Sequence, residues 1–342
     1  MRRTMHSFAR ILIVVLAACA TAAQGAPRPV RINLGTLAPR GSSYHQALQQ
    51  LGEAWRGATD GSVKLVIYTD GTQGNEADMV RLMRVGTLQA GLLTVLGLSS
   101  IEPAVTGLQN MPLVFHDLDE FDHVLAIMRP ELERRLRAHG FETLFWVDSG
   151  WIHFFSVTEA ITPADFAKQK LLVVADPKQV EIMRAIGQNP VPLESNDIPA
   201  ALQTGLITAL SVPPIYALAT QMDRKAGHML RLNYAPLLGA AVVTSSTWEK
   251  IPKEKRETLL EAARVAGQTI RERSRKESND AIAAMIARGL KVHEVTPGAL
   301  AAWEKTISGV YPMIRGSMVP AEVFDEVMRH VKEYRAAKPG SQ

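Results

Sequence analysis

Short apolar segments alternate along the chain with segments whose hydrophobic residues recur every three or four positions. Alternating polar and apolar residues predict strands at 30–34 and 63–68, and an unbroken apolar run predicts a buried strand at 88–93. Between the first two strands, one helical face carries the apolar residues Ala47, Leu48, Leu51, Ala54 and Trp55. This order of strands and helices predicts an α/β fold on a largely parallel sheet.

The same alternation resumes in the second half of the chain. Its predicted strands are 141–147, 154–158, 170–174 and 207–212, and its predicted helices are 178–186 and 197–206. Residues 253–288 then lack proline and are rich in Ala, Glu, Arg and Lys. This pattern predicts one helix longer than the ordinary globular helix, in a chain whose length suits two domains.

The N-terminal residues have the order of a secretory signal peptide at 1–26. Three arginines precede a short apolar run, which is far shorter than the roughly 20 residues of a spanning helix. Small residues at Ala23 and Gly25 suit cleavage before Ala26. Residues 16–19 instead resemble a lipobox, in which Cys19, the single cysteine, would become lipidated. Both processing routes stay open, and both predict export to the periplasm.

Charge and cysteine content exclude several classes of protein. Without the three arginines of the leader, the net charge falls from +4 to +1, and no long basic run indicates a nucleic-acid partner. A single cysteine allows no intramolecular disulfide, so burial must stabilise the fold. The hydrophobic fraction of 46% is that of a compact globular protein.

Candidate catalytic and metal-binding patterns are weak. The cluster of acids and histidines between His116 and His123 has neither a His-x-x-x-His spacing nor that of a calcium loop, so we interpret it as a solvated helix start. Asp148-Ser149-Gly150 lacks the Gly-x-Ser-x-Gly pattern of a nucleophile elbow. We therefore expect no metal, no cofactor and no enzymatic activity.

Six motifs spread over almost the whole chain after the leader resemble those of TRAP-type transporter solute-binding proteins of the dicarboxylate-binding, DctP-like family. They are Ala38-Pro39-Arg40-Gly41-Ser42, the run from Tyr68 to Met79, Arg84-x-Gly86 with Gln89-x-Gly91, Leu113-Val114-Phe115, Ala201-Leu202-Gln203-Thr204-Gly205, and the run from Thr244 to Pro252. Each motif alone is weak, but six in the same order form a specific resemblance.

The resemblance implies a two-lobed periplasmic-binding-protein fold with mixed, mostly parallel sheets and a long hinge-spanning helix. Lobe I is predicted at 27–152 plus 237–270, lobe II at 153–236 plus 271–336, and the helix 253–288 is shared by both. The family captures a small ligand between its lobes and delivers it to TRAP membrane subunits. Ligand contacts from both lobes favour closure.

Three positions depart from the family pattern. Leu172 stands where most members carry an arginine that clamps the ligand's carboxylate, and Ile152 stands in place of a second arginine. Val212 replaces a polar amide. A carboxylate in such a cleft would lack a counter-charge, which costs several kcal/mol. We therefore predict a largely apolar or uncharged ligand.

The predicted ligand-binding residues are those that would wall this cleft, with Tyr234 donating one orienting hydrogen bond: Ser42, Trp151, Ile152, Leu172, Val212, Tyr216 and Tyr234. Trp151 and Tyr216 could instead be ordinary core aromatics, and His153, Arg40 or Arg184 could supply a relocated charge. An organic-acid receptor and a periplasmic lipid carrier without a standard permease remain alternatives. The chain is expected to be a monomer or a homodimer.

Overall fold

The computed structural model describes residues 29–194 and 197–338, and within them nine strands form one mixed sheet. The strands are β1 (Val30–Thr36), β2 (Val63–Tyr68), β3 (Ala90–Thr94), β4 (Phe141–Ser156), β5 (Leu171–Val174), β6 (Pro190–Leu193), β7 (Ala209–Val212), β8 (His228–Thr244) and β9 (Lys291–Glu294). Their order is β2-β1-β3-β8-β4-β7-β5-β6, and β9 pairs with β8.

Thirteen α-helices in the described residues cover this sheet. They are α1 (Ser43–Ala58), α2 (Glu76–Arg84), α3 (Val95–Ser99), α4 (Leu118–Ala138), α5 (Pro163–Phe166), α6 (Pro177–Ala185), α7 (Ile198–Thr204), α8 (Pro214–Ala219), α9 (Ser245–Trp248), α10 (Lys253–Ala287), α11 (Pro297–Ser308), α12 (Tyr311–Ile314) and α13 (Ala321–Ala337). None of them is both long and apolar enough to cross a bilayer.

Two long antiparallel strands, β4 and β8, join the two lobes. The carboxyl half of β8 pairs with β3 beside the parallel strands β1 and β2, and we refer to this part as lobe I. The carboxyl end of β4 pairs with β7, which leads to the parallel strands β5 and β6 of lobe II. The predicted two-lobed α/β architecture is confirmed.

Four hydrophobic clusters fill the space between the sheet and the helices. Cluster A, around Met79, Leu98 and Phe121, lies mainly in lobe I but includes Ile182 of α6, and cluster B, around Ile32, Leu48 and Trp55, belongs to lobe I. Cluster C, around Phe155, Leu202 and Met285, and cluster D, around Phe154, Phe166 and Trp303, belong to lobe II. Each lobe therefore has helices on both faces of its sheet.

The long helix α10 contacts both lobes. With 35 residues it is about 52 Å long. Near its start, the carbonyl of Leu259 accepts a 2.9 Å hydrogen bond from Trp55 Nε1 in lobe I. Near its end, Ile282 and Met285 are buried in cluster C. One rigid element therefore lies against both sides of the hinge.

Several observed elements differ from the sequence predictions; among them, the short strands β6 and β9 were not predicted. The two strands predicted at 141–147 and 154–158 form one strand, since Asp148-Ser149-Gly150 is a bulge within β4. The 17-residue strand β8 was not predicted. The side chain of Asp197 makes no capping hydrogen bond at α7. Asn75, by contrast, caps α2, its Oδ1 accepting from Asp78 N at 2.9 Å.

The C-terminal helix α13 packs on lobe I. Val323 and Val327 are buried in cluster A, and Arg335 forms an ion pair with Glu120 of α4 at 2.6 Å. The predicted lobe boundaries placed this helix in lobe II with 271–336. Val310, Ile314 and Val319 are buried in the same cluster, so we propose that residues 310–337 belong to lobe I and that the remaining boundaries stand as predicted.

Candidate ligand cleft

The junction between the lobes lies where β4 and β8 cross from one to the other. The pairing register between these strands shifts between Asp148 and Trp151. Gly150, at the centre of the shift, has a φ of +72°, a conformation that glycine adopts without steric cost. Gly150 N donates a 3.0 Å hydrogen bond to Asp148 Oδ1, which fixes the bulge. This bulge determines the direction in which β4 enters lobe II.

The bulge is held by a network of polar contacts with α10. Two hydroxyls of α10 donate to its carbonyls: Ser274 Oγ to Asp148 O at 2.6 Å and Ser278 Oγ to Ser149 O at 3.0 Å. The Ser149 hydroxyl in turn bonds the phenol of Tyr44 in α1. Burial raises the pKa of Tyr44 to about 12, so the phenol stays protonated. The hinge therefore has a fixed polar support.

Trp151 and Ile152 follow the bulge and are half-buried. Trp151 packs against cluster A, whereas Ile152 packs against cluster D. Leu113, which precedes α4, also packs against cluster D, and its N–H donates to the carbonyl of Tyr234 at 2.8 Å. Leu113 has a φ of +59°, which is uncommon for a non-glycine residue. A lobe I loop is thus bonded to the lobe II half of β8.

Leu172, Val212 and Tyr216 come together in lobe II. Leu172 lies on β5, Val212 ends β7, and Tyr216 lies in α8; all three are members of cluster C or pack against it. Leu172 and Tyr216 are partly exposed. Burial raises the pKa of the Tyr216 phenol. Leu172, Val212 and Tyr216 therefore belong to one apolar region of lobe II.

Tyr234 and Ser42 are placed differently. Tyr234 is 8% exposed and forms an edge-to-face pair with Phe154, with ring centroids 4.8 Å apart. Burial raises the pKa of its phenol, so it stays protonated and able to donate. Ser42 caps α1, accepting from His45 N at 3.3 Å and donating to Pro39 O at 2.6 Å. Its hydroxyl is already used within its own loop.

Side chains of the two lobes meet at two further points. Asn75 Nδ2, at the start of α2, lies 3.4 Å from Glu194 Oε2, just beyond β6. At another point, Lys178 Nζ of α6 donates to the carbonyl of Ser317 at 2.7 Å. Both contacts join lobe II to residues packed on lobe I. In this conformation the two lobes therefore touch.

The three residues that could supply a relocated positive charge differ in environment. Burial lowers the pKa of His153 to about 4, so its ring is neutral at pH 7, and Nδ1 bonds Leu232 O at 2.9 Å. Arg40 has a 76% exposed side chain and lies 3.9 Å from Asp70. Arg184 lines a cavity of about 440 Å³ at the carboxyl ends of β5 and β6, together with Asp176 and Glu181. Of the three, Arg184 lines this cavity.

The acidic cluster at 116–123 has structural partners within the described residues. Asp117 caps α4, accepting from Glu120 N at 2.7 Å. Glu120 pairs with Arg335, Asp122 pairs with Arg275, and the His123 ring packs against Tyr334 at 4.8 Å. These contacts agree with the interpretation of the cluster as part of a helix start.

The six motifs that resemble the DctP-like family are spread over both lobes of this fold. Residues 34–315 match the family described as bacterial extracellular solute-binding protein, family 7 (DctP). The chain belongs to this family. It is a solute-binding protein of the TRAP type, and its family is one of receptors and not of enzymes.

Two curated relatives cover most of this family 7 protein. The 2,3-diketo-L-gulonate-binding periplasmic protein YiaO of Escherichia coli (strain K12) is 23% identical over 254 residues, 73% of this chain and 76% of the relative. The C4-dicarboxylate-binding periplasmic protein DctP of Rhodobacter capsulatus is 24% identical over 260 residues, 74% of this chain and 77% of the relative.

Solved structures share the fold. The sugar acid binding protein DctPAm from Advenella mimigardefordensis, in complex with galactonate, superposes with a TM-score of 0.83 at 16% identity, covering 90% of this chain and 99% of that one. A TRAP periplasmic solute binding protein from Sulfurospirillum deleyianum with bound succinate gives a TM-score of 0.79 at 20% identity, with coverages of 88% and 98%. At these identities the likeness concerns the fold.

Sequence reasoning missed the polar residues that support the hinge. Arg275, Ser274 and Ser278 face the β4 bulge from α10, at spacings that also suit a solvated helix face. Two serines and one arginine in a charged helix carry no signal of burial. The contact between Asn75 and Glu194 was missed because the two residues lie 119 positions apart.

Proposed function

We propose that this family 7 receptor binds a small, largely apolar or uncharged solute in the cleft between its lobes, in the periplasm, and delivers it to TRAP-type membrane subunits. The observation that supports this ligand class is the placement of Leu172 beside Val212 and Tyr216 on cluster C. An apolar surface stands where the resemblance puts a guanidinium. A buried carboxylate without a cation would cost several kcal/mol there.

The charged residues near the cleft also favour an apolar or uncharged ligand over a carboxylate. His153 is neutral at pH 7, and Arg40 is mostly exposed beside Asp70. Arg275, the guanidinium closest to the hinge bulge, is already neutralised by Asp122 and Asp148. The buried phenol of Tyr234 could donate one hydrogen bond to a carbonyl or hydroxyl of the ligand.

An organic acid is the second candidate. The relatives and similar structures are named for or hold 2,3-diketo-L-gulonate, C4-dicarboxylates, galactonate and succinate. In this chain, Arg184 lines the cavity at the carboxyl ends of β5 and β6, where ligands bind in sheets of this kind. Asp176 and Glu181 line the same cavity and would repel a carboxylate.

Native mass spectrometry of protein purified from its own host, with extraction and identification of the bound molecule, separates the two candidates. We expect an apolar or uncharged molecule at one equivalent per chain. Recovery of a dicarboxylate or sugar acid that binds with micromolar affinity would show that the cleft takes anions. An Arg184→Ala variant distinguishes these outcomes again, because it should weaken an acid and leave an apolar ligand unaffected.

The membrane attachment and assembly of the protein also remain proposals. Cys19 and the rest of the leader lie outside the described residues, so lipidation stays a prediction alongside cleavage before Ala26. The chain is proposed to act as a monomer or a homodimer. Genes for a large and a small TRAP membrane subunit beside this one would support delivery to a permease, whereas a lipid-trafficking system there would favour a carrier role.

A further inference from the structure

Three potential metal ligands meet at the end of lobe II where β8 begins. His228 is the first residue of β8, and His293 lies on the neighbouring strand β9. In the parallel pairing His228 is opposite Lys291, so His293 is two positions further along and on the same face. Glu159 follows the end of β4, whose last residue, Ser156, pairs with His228.

The ligand atoms of these three residues are close enough for one ion. His228 Nδ1 lies 2.9 Å from His293 Nε2, and the two rings are parallel within 5° with centroids 5.2 Å apart. One nitrogen of each ring and one carboxylate oxygen of Glu159 all lie within 4.8 Å of one another. Glu159 is exposed and both histidines are partly exposed, so an ion can reach them from solvent.

The separation of the two nitrogens is short of a coordination geometry by a few tenths of an ångström. Zinc–nitrogen bonds of about 2.0–2.1 Å in a tetrahedron place two ligating nitrogens about 3.3 Å apart. Small rotations of the two imidazoles about their side-chain torsions provide the difference. The direct contact between the rings needs one nitrogen to donate and the other to accept, and an ion between them would replace that single hydrogen bond by two metal–ligand bonds.

The donor set selects the class of metal. Two imidazoles and one carboxylate suit zinc, nickel or copper ions and not calcium or magnesium, which prefer oxygen ligands. Lys291 lies beside His228 in the pairing register, whereas Arg231 is paired with Glu294 at 3.4 Å. The ammonium of Lys291 opposes a cation, so we expect micromolar and not nanomolar affinity. Water would complete the coordination.

We propose that Glu159, His228 and His293 bind one divalent transition-metal ion, with zinc as the favoured metal. In the described residues β9 is bonded to the sheet through β8 alone. A bound ion would add a second attachment, joining β9 to both β8 and the segment after β4. The site lies on lobe II at the amino end of β8, whereas the hinge bulge pairs with the middle of that strand. It is therefore separate from the ligand cleft.

Zinc titration by calorimetry, on protein purified without a histidine tag, tests this site. We expect one equivalent with micromolar affinity, and at least tenfold weaker binding by His228→Ala and His293→Ala. His139 is a matched control, since it lies 3.2 Å from a single carboxylate, Glu102, so His139→Ala should bind zinc as the unaltered protein does. Circular dichroism in metal-free buffer confirms that each variant is folded.

Cobalt substitution gives an independent readout. Cobalt bound by two imidazoles and a carboxylate should show visible absorption bands that disappear in His293→Ala and change intensity or position in Glu159→Gln. Absence of one-equivalent zinc binding by the unaltered protein would overturn the proposal. So would equal zinc affinity in the unaltered protein and the folded His293→Ala variant.

Discussion

Arg275 of the long helix α10 forms a two-point ion pair with Asp148 of the β4 bulge. Arg275 Nε lies 2.8 Å from Asp148 Oδ1, and Nη2 lies 2.7 Å from Oδ2. The same guanidinium contacts both carboxylate oxygens of Asp122 in α4, at 2.6 and 2.9 Å. These acidic partners favour the charged guanidinium and, against the opposing effect of burial, raise the pKa of Arg275. One side chain thus joins the hinge strand, the long helix and lobe I.

Replacing Arg275 by alanine should strongly destabilise the protein. The Asp148 side chain is 1% exposed, so its carboxylate would be left buried without a cation. Breaking a buried ion pair on one side costs about 3–5 kcal/mol. Urea unfolding measures the loss. Arg264→Ala, which removes an exposed pair with Glu261 on the same helix, should cost less than about 1 kcal/mol. Equal losses in the two variants would contradict the role given to Arg275.

Gly267→Ala should destabilise the contact between α10 and β4, although alanine favours helices. A Cβ at Gly267 would lie 2.6 Å from Phe145 Cβ, an atom whose position the strand backbone fixes. Overpacking of this kind costs about 1–3 kcal/mol, which exceeds the helix-propensity gain of about 1 kcal/mol. Gly57→Ala in α1 meets nothing within 4 Å and should be neutral or stabilising. Thermal unfolding of both variants compares the two effects, and a stabilised Gly267→Ala would show that the helix can move away.

We predict that the protein loses stability in mild acid because His153 is buried. Burial lowers the pKa of His153 from 6.5 to about 4, so the folded protein binds this proton only at a lower pH than the unfolded chain does. The contribution of neutral His153 to the free energy of unfolding is therefore complete above pH 6.5 and is lost as pH falls from 6.5 towards 4. The shift corresponds to about 3 kcal/mol.

Unfolding free energies at pH 7.5 and pH 4.5 measure this loss. His153→Gln keeps a donor for the Leu232 carbonyl but does not titrate, so its stability should fall less over the same interval. Identical pH dependence in the unaltered protein and His153→Gln would show that other groups cause the acid sensitivity.

Leu172→Arg should abolish binding of an apolar ligand. The substitution places a guanidinium on the surface shared with Val212 and Tyr216, and an unpaired charge there costs several kcal/mol. A cost of 1.4 kcal/mol is already tenfold in affinity. Titration with the molecule recovered from the native protein measures the effect, with Leu172→Met as the volume-conserving control. Unchanged affinity in Leu172→Arg would place Leu172 outside the cleft.

Several local features could be predicted from the sequence because they depend on neighbouring residues. Asn75 and Ser42 cap helices with bonds to backbone groups three residues away, and the apolar face with Ala47, Leu48, Leu51 and Trp55 follows helical spacing. The helix predicted at 253–288 extends over Lys253–Ala287. The two-lobed architecture was predicted from the resemblance of the motifs to those of the family.

The long strands were harder to predict. Asp148-Ser149-Gly150 has the composition of a turn, and only pairing with β8 keeps these residues within one strand. β8 itself, from His228 to Thr244, passes from a β9 neighbour to a β3 neighbour, so its side-chain pattern changes with its surroundings. The hydrophobic periodicity of one segment does not indicate that its neighbouring strand changes along its length.

The sequence by itself determined the α/β class, the family and the caps at Ser42 and Asn75, since these depend on hydrophobic periodicity, motif order and hydrogen bonds over three residues. Only the tertiary structure decided which distant polar groups meet. Arg275 reaches Asp148 across 127 positions, and His228 reaches His293 across 65. Such contacts depend on how strands pair and helices pack, and burial then sets the charge of residues such as His153.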